Sequence, residues 1–127
     1  MRALHYAQDR FWAGTDNKGI FSSADGLHWQ AAGGKVEGAV YAIRSAGDQL
    51  IAASQHGILS GDGANAWQRS GPRMLFATIA SDPQTPNNWL AGASPGGLWF
   101  TRDAGQNWQQ IAHFKHVRAV LAPEEGH

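Results

Sequence analysis

Thr101-Arg102-Asp103-Ala104-Gly105-Gln106-Asn107-Trp108 closes a unit that occurs three times in this chain. Read backwards from that tryptophan, Asn88–Trp108 (NWLAGASPGGLWFTRDAGQNW) holds an apolar run ending in small residues, a Gly-containing turn, a second apolar run and the Thr-Asp-Gly turn. Gln49–Trp67 (QLIAASQHGILSGDGANAW) and Arg10–Trp29 (RFWAGTDNKGIFSSADGLHW) repeat that order. The closing tryptophans, Trp29, Trp67 and Trp108, stand 38 and 41 residues apart.

A period of that length is close to the ~40–45 residues of a four-stranded propeller blade. The apolar runs are short, rich in Val, Ile, Phe, Trp and Ala, and bounded by turn residues, which is strand chemistry rather than a helical stripe. The first unit predicts strands over Ala3–Ala7, Phe11–Gly14, Gly19–Ser22 and Trp29–Ala31. The second predicts Val40–Arg44, Gln49–Ala53, Gly57–Ser60 and Trp67–Arg69, and the third Leu75–Ala80, Trp89–Ala93, Leu98–Arg102 and Trp108–Ile111. Val117–Leu121 reads as the first strand of a fourth unit. The expected fold is all-β: a β-propeller segment of about three four-stranded blades plus one extra strand, not closed by a single chain. The 127 residues form one segment, with blade 1 over about 1–34, blade 2 over about 35–72, blade 3 over about 73–113 and the next blade's first strand over about 117–122.

Thr101, Asp103, Gly105 and Trp108 satisfy the pattern Ser/Thr-x-Asp-x-Gly-x-x-Trp, and the chain resembles the Asp-box, or bacterial neuraminidase repeat, propellers. The second copy keeps Ser60, Asp62 and Trp67 but has Ala64 where glycine is expected. The first copy, Ser23, Asp25, Gly26 and Trp29, aligns once a residue is removed from its turn. In those families the turn lies on the outer rim, so the resemblance implies structural pins rather than catalytic groups. The residue types suit that role. A turn Asp or Ser/Thr accepts nearby backbone N–H bonds, glycine takes positive φ, and tryptophan buries a large ring. Asp25, Asp62 and Asp103 also recur at one equivalent position, which an active site rarely requires.

Among families that the repeat resembles, sialidases use a Phe/Tyr-Arg-Ile-Pro motif and a tyrosine nucleophile. Gly71-Pro72-Arg73-Met74 lacks that order, and Tyr6 and Tyr41 fall within predicted first strands. Xyloglucanases need a carboxylate pair, and Glu37, Glu124 and Glu125 with the turn aspartates supply no recognisable one. Sortilin-type receptors add a cysteine-rich module, and this chain has no Cys. By its repeats the chain most resembles the non-catalytic photosystem II assembly-factor-like and sortilin-like repeat branch, the assembly-factor relatives above all. No catalytic residue, metal ligand or cofactor is assigned. His113 and His116 lack ligand partners, Gly33-Gly34-Lys35 precedes Val36 rather than the Ser/Thr of a phosphate loop, and no Ser has a His-Asp arrangement.

A binding face is expected on the loops joining second to third strands and fourth strands to the next blade. These loops gather Lys35, Glu37, Arg73, His56, His113, Lys115 and His116, with Asp16 and Lys18 beside them. The expected partner is the chain itself or further blades of a longer chain, or another protein or a glycan. Ten Lys+Arg balance ten Asp+Glu, which argues against nucleic acid. No apolar stretch approaches the ~20 residues of a membrane helix, and the start, MRALHYAQDRF, lacks a signal peptide's apolar core. A soluble chain of unassigned compartment follows. The expected function is a non-catalytic interaction scaffold, probed against two alternatives: part of a glycoside hydrolase (sialidase- or xyloglucanase-like), or a glycan-binding lectin stacking sugar on Trp12, Trp89 or Trp99.

Overall fold

The computed structural model describes residues 3–32, 36, 38–62, 67–93 and 97–112. These form twelve strands and no helix: β1 (Ala3–Ala7), β2 (Arg10–Gly14), β3 (Ile20–Ser23), β4 (Gln30–Ala31), β5 (Val40–Ala46), β6 (Gln49–Ser54), β7 (Gly57–Gly61), β8 (Gln68–Ser70), β9 (Phe76–Ser81), β10 (Trp89–Ala93), β11 (Gly97–Thr101) and β12 (Gln109–Ala112). They pair as three antiparallel four-stranded meanders, β1–β4, β5–β8 and β9–β12. The predicted strands are found within one or two residues at either end. Each fourth strand starts one residue after its tryptophan. The expected strand at Val117–Leu121 lies outside the described residues.

The sheets pack face on face, and two cores lie between them. Trp12 and Ile20 of the first sheet meet Val40, Ile43, Leu50 and Leu59 of the second. Ile51, Ala53 and Ile58, on the other side of the second sheet, meet Phe76, Ile79, Trp89 and Ala91 of the third. This sandwiching explains the sequence of β6. Leu50, Ile51, Ala52 and Ala53 are all fully buried, as a strand covered on both faces requires. In β1, with one covered face, Leu4 and Tyr6 are exposed and alternate with better-covered neighbours.

Hairpin turns add ties between blades. Gln8 and Asp9 both take positive φ (56° and 60°) to make the two-residue turn from β1 to β2, a conformation that glycine or asparagine adopts more readily. The Gln8 amide donates to the Asp48 carbonyl in the corresponding turn of the next blade, at 3.0 Å. Nearby, His5 Nε2 lies 2.9 Å from Ser45 Oγ, and Ser81 donates to the Ser45 carbonyl at 2.8 Å. Burial, with the Arg44 charge secondary, lowers the His5 pKa and keeps the ring neutral at pH 7.

Candidate functional site

A four-stranded meander has two rims, one carrying the turns after its first and third strands and the other those after its second and fourth. On the first rim, the turn after β11 is held by side chains. Thr101, 1% exposed, donates to Asp103 Oδ1 at 2.7 Å and accepts the Asp103 and Gly105 N–H groups. The Asp103 carboxylate accepts the Asn107 backbone N–H at 2.9 Å and its side-chain amide at 2.8 Å. The turn after β3 does the same in one residue fewer: Ser23 accepts the Asp25 and Gly26 N–H groups, and Asp25 accepts those of Leu27 and His28. The extra residue is Ala104, held at φ 58° and bonded to the Asn87 carbonyl.

These donors depress both carboxyl pKa values. For Asp25 the His28 backbone N–H leads, followed by the His28 ring 2.9 Å from Oδ2 and the Leu27 N–H, and the pKa falls far below the ordinary range. For Asp103 the Thr101 hydroxyl leads, then the Asn107 amide, and the pKa falls to about 2. A folded-state pKa below the unfolded ~3.9 adds stability above that pH, and the contribution disappears as pH falls through the folded value. Thr101→Val removes the leading donor and leaves two backbone N–H groups without their acceptor, a cost of about 1–3 kcal/mol. Thermal unfolding from pH 5 to pH 2 should therefore show a lower melting temperature for the variant at pH 5 and a smaller further drop below pH 4. Equal acid sensitivity of the two proteins would show that the hydroxyl does not hold the carboxylate.

In the second blade, cross-strand pairing differs by one step. Ser23 lies opposite Phe11 and Thr101 opposite Trp89, but the residue opposite the equivalent Leu50 is Gly61, and Ser60 lies opposite Ile51. Asp62 follows as an exposed residue just beyond β7. The tryptophans also take unequal positions. Trp67 packs on the first core and donates to the Ala32 carbonyl of the preceding blade at 3.0 Å. Trp108 packs against Phe76 and Trp89 and against Gly71 at the end of the second blade. Trp29, whose sheet has no blade packed before it among the described residues, is 38% exposed and donates to Gly26 within its own turn.

On the other rim, the residues expected to meet a partner are described in part. His56 is half-buried in the β6–β7 turn, where Gln55 exchanges hydrogen bonds with Ala39 and a Cβ on Gly38 would sit 3.0 Å from the His56 ring. Gly57 follows, packed against the Ser70 and Pro72 carbonyls, which brings the 55–57 turn beside the 70–74 turn carrying exposed Arg73. Asp16 and Lys18 are exposed in the β2–β3 turn, whose Thr15 carbonyl accepts the Val40 N–H. The structure thus places His56 and Arg73 on adjoining loops of one rim. Lys35, Glu37, His113, Lys115 and His116 lie outside the described residues.

One feature escaped sequence reading. The β9–β10 loop, 82–88, has seven residues where the other blades have two, and it folds on itself through Asp82, Thr85 and Asn88. Between it and the Gly47-Asp48 turn lies an open cleft of about 450 Å³, lined by Asp48, Gln49, Gln84, Thr85 and Asn87 over Trp89. Its signal was the insertion itself, since extra residues in one repeat map to a loop on one rim. Asp48 is the one carboxylate among its lining residues, so the cleft offers hydrogen bonds but not the acid–base pair of a glycosidase. Among the described residues no three His, Asp or Glu side chains converge as a metal site, and no helix is long and apolar enough to cross a membrane.

No protein-family model and no curated protein matches the chain. Solved structures do. A GH74 enzyme described as ancestral superposes with a TM-score of 0.72 at 17% identity over 85% of this chain. The GH74 xyloglucanase from Xanthomonas campestris gives 0.66 at 19% over 86%. The computationally designed Ika4 protein gives 0.64 at 12% over 95% of this chain and 76% of its own. The chain spans only 17% and 20% of the lengths of the two GH74 enzymes. At these identities the likeness concerns fold: the chain is an all-β, β-propeller segment of three four-stranded blades that does not close on itself among the described residues.

Proposed function

We propose that the chain is a non-catalytic propeller scaffold of the Asp-box type, nearest in kind to the assembly-factor-like repeat proteins, that meets a protein or small ligand on the rim carrying His56 and Arg73. The observation that carries this reading is how the repeated polar groups are spent. Ser23, Asp25, Thr101 and Asp103 form hydrogen bonds to their own turns, and those bonds build the blades. The lectin alternative loses two of its rings, because Trp12 and Trp89 are 2% and 1% exposed and donate to the Ala7 and Pro86 carbonyls. The structural likeness to GH74 enzymes favours a second reading, in which these blades belong to a glycoside hydrolase whose carboxylate pair is contributed elsewhere.

Binding and hydrolysis of xyloglucan and of a sialoside by the purified protein separate the two. The scaffold reading expects neither binding nor released sugar. The enzyme reading, with its carboxylate pair elsewhere, expects a sugar chain to bind without being cut, and binding that disappears on substituting Asp48 or Asp16 would establish it instead.

A further inference from the structure

Sheet register makes corresponding positions in the three blades directly comparable. Leu4, Ile43 and Ile79 lie opposite Ala13, Ala52 and Ala91, and so share one place in the blade. Ile43 and Ile79 are fully buried against the preceding sheet, whereas Leu4 is 56% exposed. Phe11 likewise corresponds to Leu50 and Trp89, and it is half-buried where they are covered. The first blade's outward face therefore has the chemistry of a face that is buried twice elsewhere in the chain. On the third blade's outward face, Leu90 and Leu98 correspond to Ile51 and Ile58, which fill the second core, yet both remain half-buried.

The exposed apolar residues fall into the same pattern. Among the described residues the large ones are Leu4, Tyr6, Leu27, Trp29 and Ile111. Leu4, Tyr6 and Trp29 belong to the first blade's outward side, and Ile111 to the third blade's last strand. Trp67 reaches back to the Ala32 carbonyl at the end of the preceding blade's last strand, and by strand pairing the third blade's counterpart of Ala32 is Ala112, opposite Leu98 as Ser70 is opposite Ile58. Trp29 lacks such a seat, and Ile111, 51% exposed, lies next to the one that the third blade leaves unused.

We propose that a second copy of this chain seats its third blade on the first blade's outward face, and the reverse, closing a ring of six sheets. Trp29 of each copy then packs over Ile111 of the other, and Leu90 and Leu98 cover Leu4 and Phe11. The contact is heterologous, one face meeting a different face, and two copies close it into a ring when each spans half a turn about the propeller axis. Six blades lie within the four to eight of closed propellers. Assembly stands apart from the scaffold reading, which the xyloglucan and sialoside experiment tests.

The experiment measures absolute mass by light scattering from low to high micromolar concentration, for the wild type, Leu4→Lys and Ile111→Lys. Both substituted side chains are exposed, so circular dichroism should show each variant folded. The wild type should be a dimer that does not grow with concentration, and each variant alone should dissociate at least tenfold more readily. An equimolar mixture of the two should recover dimer, because one native pair of faces survives between them. A monomeric wild type, a concentration-dependent series of larger species, or a mixture no better associated than its components would overturn the proposal. So would an Ile111→Lys dimer as tight as wild type, which would show first blade against first blade.

Discussion

Trp89→Ala is expected to destabilise the protein by about 3–5 kcal/mol, the range for truncating a buried aromatic side chain. The indole is 1% exposed at the centre of the second core, its ring centroid is 6.3 Å from that of Trp108, and its N–H donates to Pro86 at 2.8 Å. Truncation opens a cavity between two sheets and frees the loop that shapes the polar cleft. The informative control is Phe11→Ala, at the register-equivalent position on the first blade. Phe11 is half-buried and its ring contact is Tyr6, at 4.9 Å, so its loss should cost only about 1–2 kcal/mol in the dissociated chain. Urea unfolding at one fixed low protein concentration compares the two without the contribution of association. Equal losses would mean that the first blade's outward face is already covered within one copy.

That contrast also shows what could be read from residues and what could not. Strand positions were legible because each apolar run is short and punctuated, and because three copies agree with one another. The exposure of Leu4, Phe11 and Trp29 was not, since their letters are those of core residues. Only the place of the first sheet at one end of the stack leaves them uncovered. The second blade's register was misleading for another reason. Ser60-x-Asp62 satisfies the motif spacing, yet strand pairing is set by backbone hydrogen bonds along β6 and β7, and these put Gly61 where Ser23 and Thr101 stand. A shift of one residue reverses which face a side chain occupies. The cleft beside Asp48 was hidden because aligning repeats discards the 82–88 insertion as mere loop. The rim expected to meet a partner was legible as polar loops, and the structure brings His56 and Arg73 together there, while its remaining members lie in the 33–37 and 113–116 segments.

Gly105→Ala should be the most damaging change of a single hydrogen to a methyl, at about 2–5 kcal/mol. Two costs add. Gly105 has φ 91°, and an L-residue forced into the positive-φ region loses roughly 1–2 kcal/mol. Its Cβ would also stand 2.7 Å from Ser70 Oγ and 2.9 Å from the Trp89 ring, and overpacking of this kind costs about 1–3 kcal/mol. The Ser70 hydroxyl, in the seam between the second and third blades, has no hydrogen bond among the described residues to hold it and can rotate aside. The Trp89 ring, 1% exposed and fixed by its bond to Pro86, cannot. Gly26 occupies the corresponding turn of the first blade, with φ 82° and its N–H on Ser23 as that of Gly105 is on Thr101. A Cβ there meets only the Phe11 ring, at 3.7 Å. Gly26→Ala should therefore show the backbone cost alone when both variants are unfolded by urea as dissociated chains. In the assembled ring the first blade gains a neighbour, and Gly26→Ala should then move toward Gly105→Ala in cost. Were the two variants equally unstable when dissociated, steric contact between blades would contribute nothing, and the positive φ would be the whole reason for glycine in this turn.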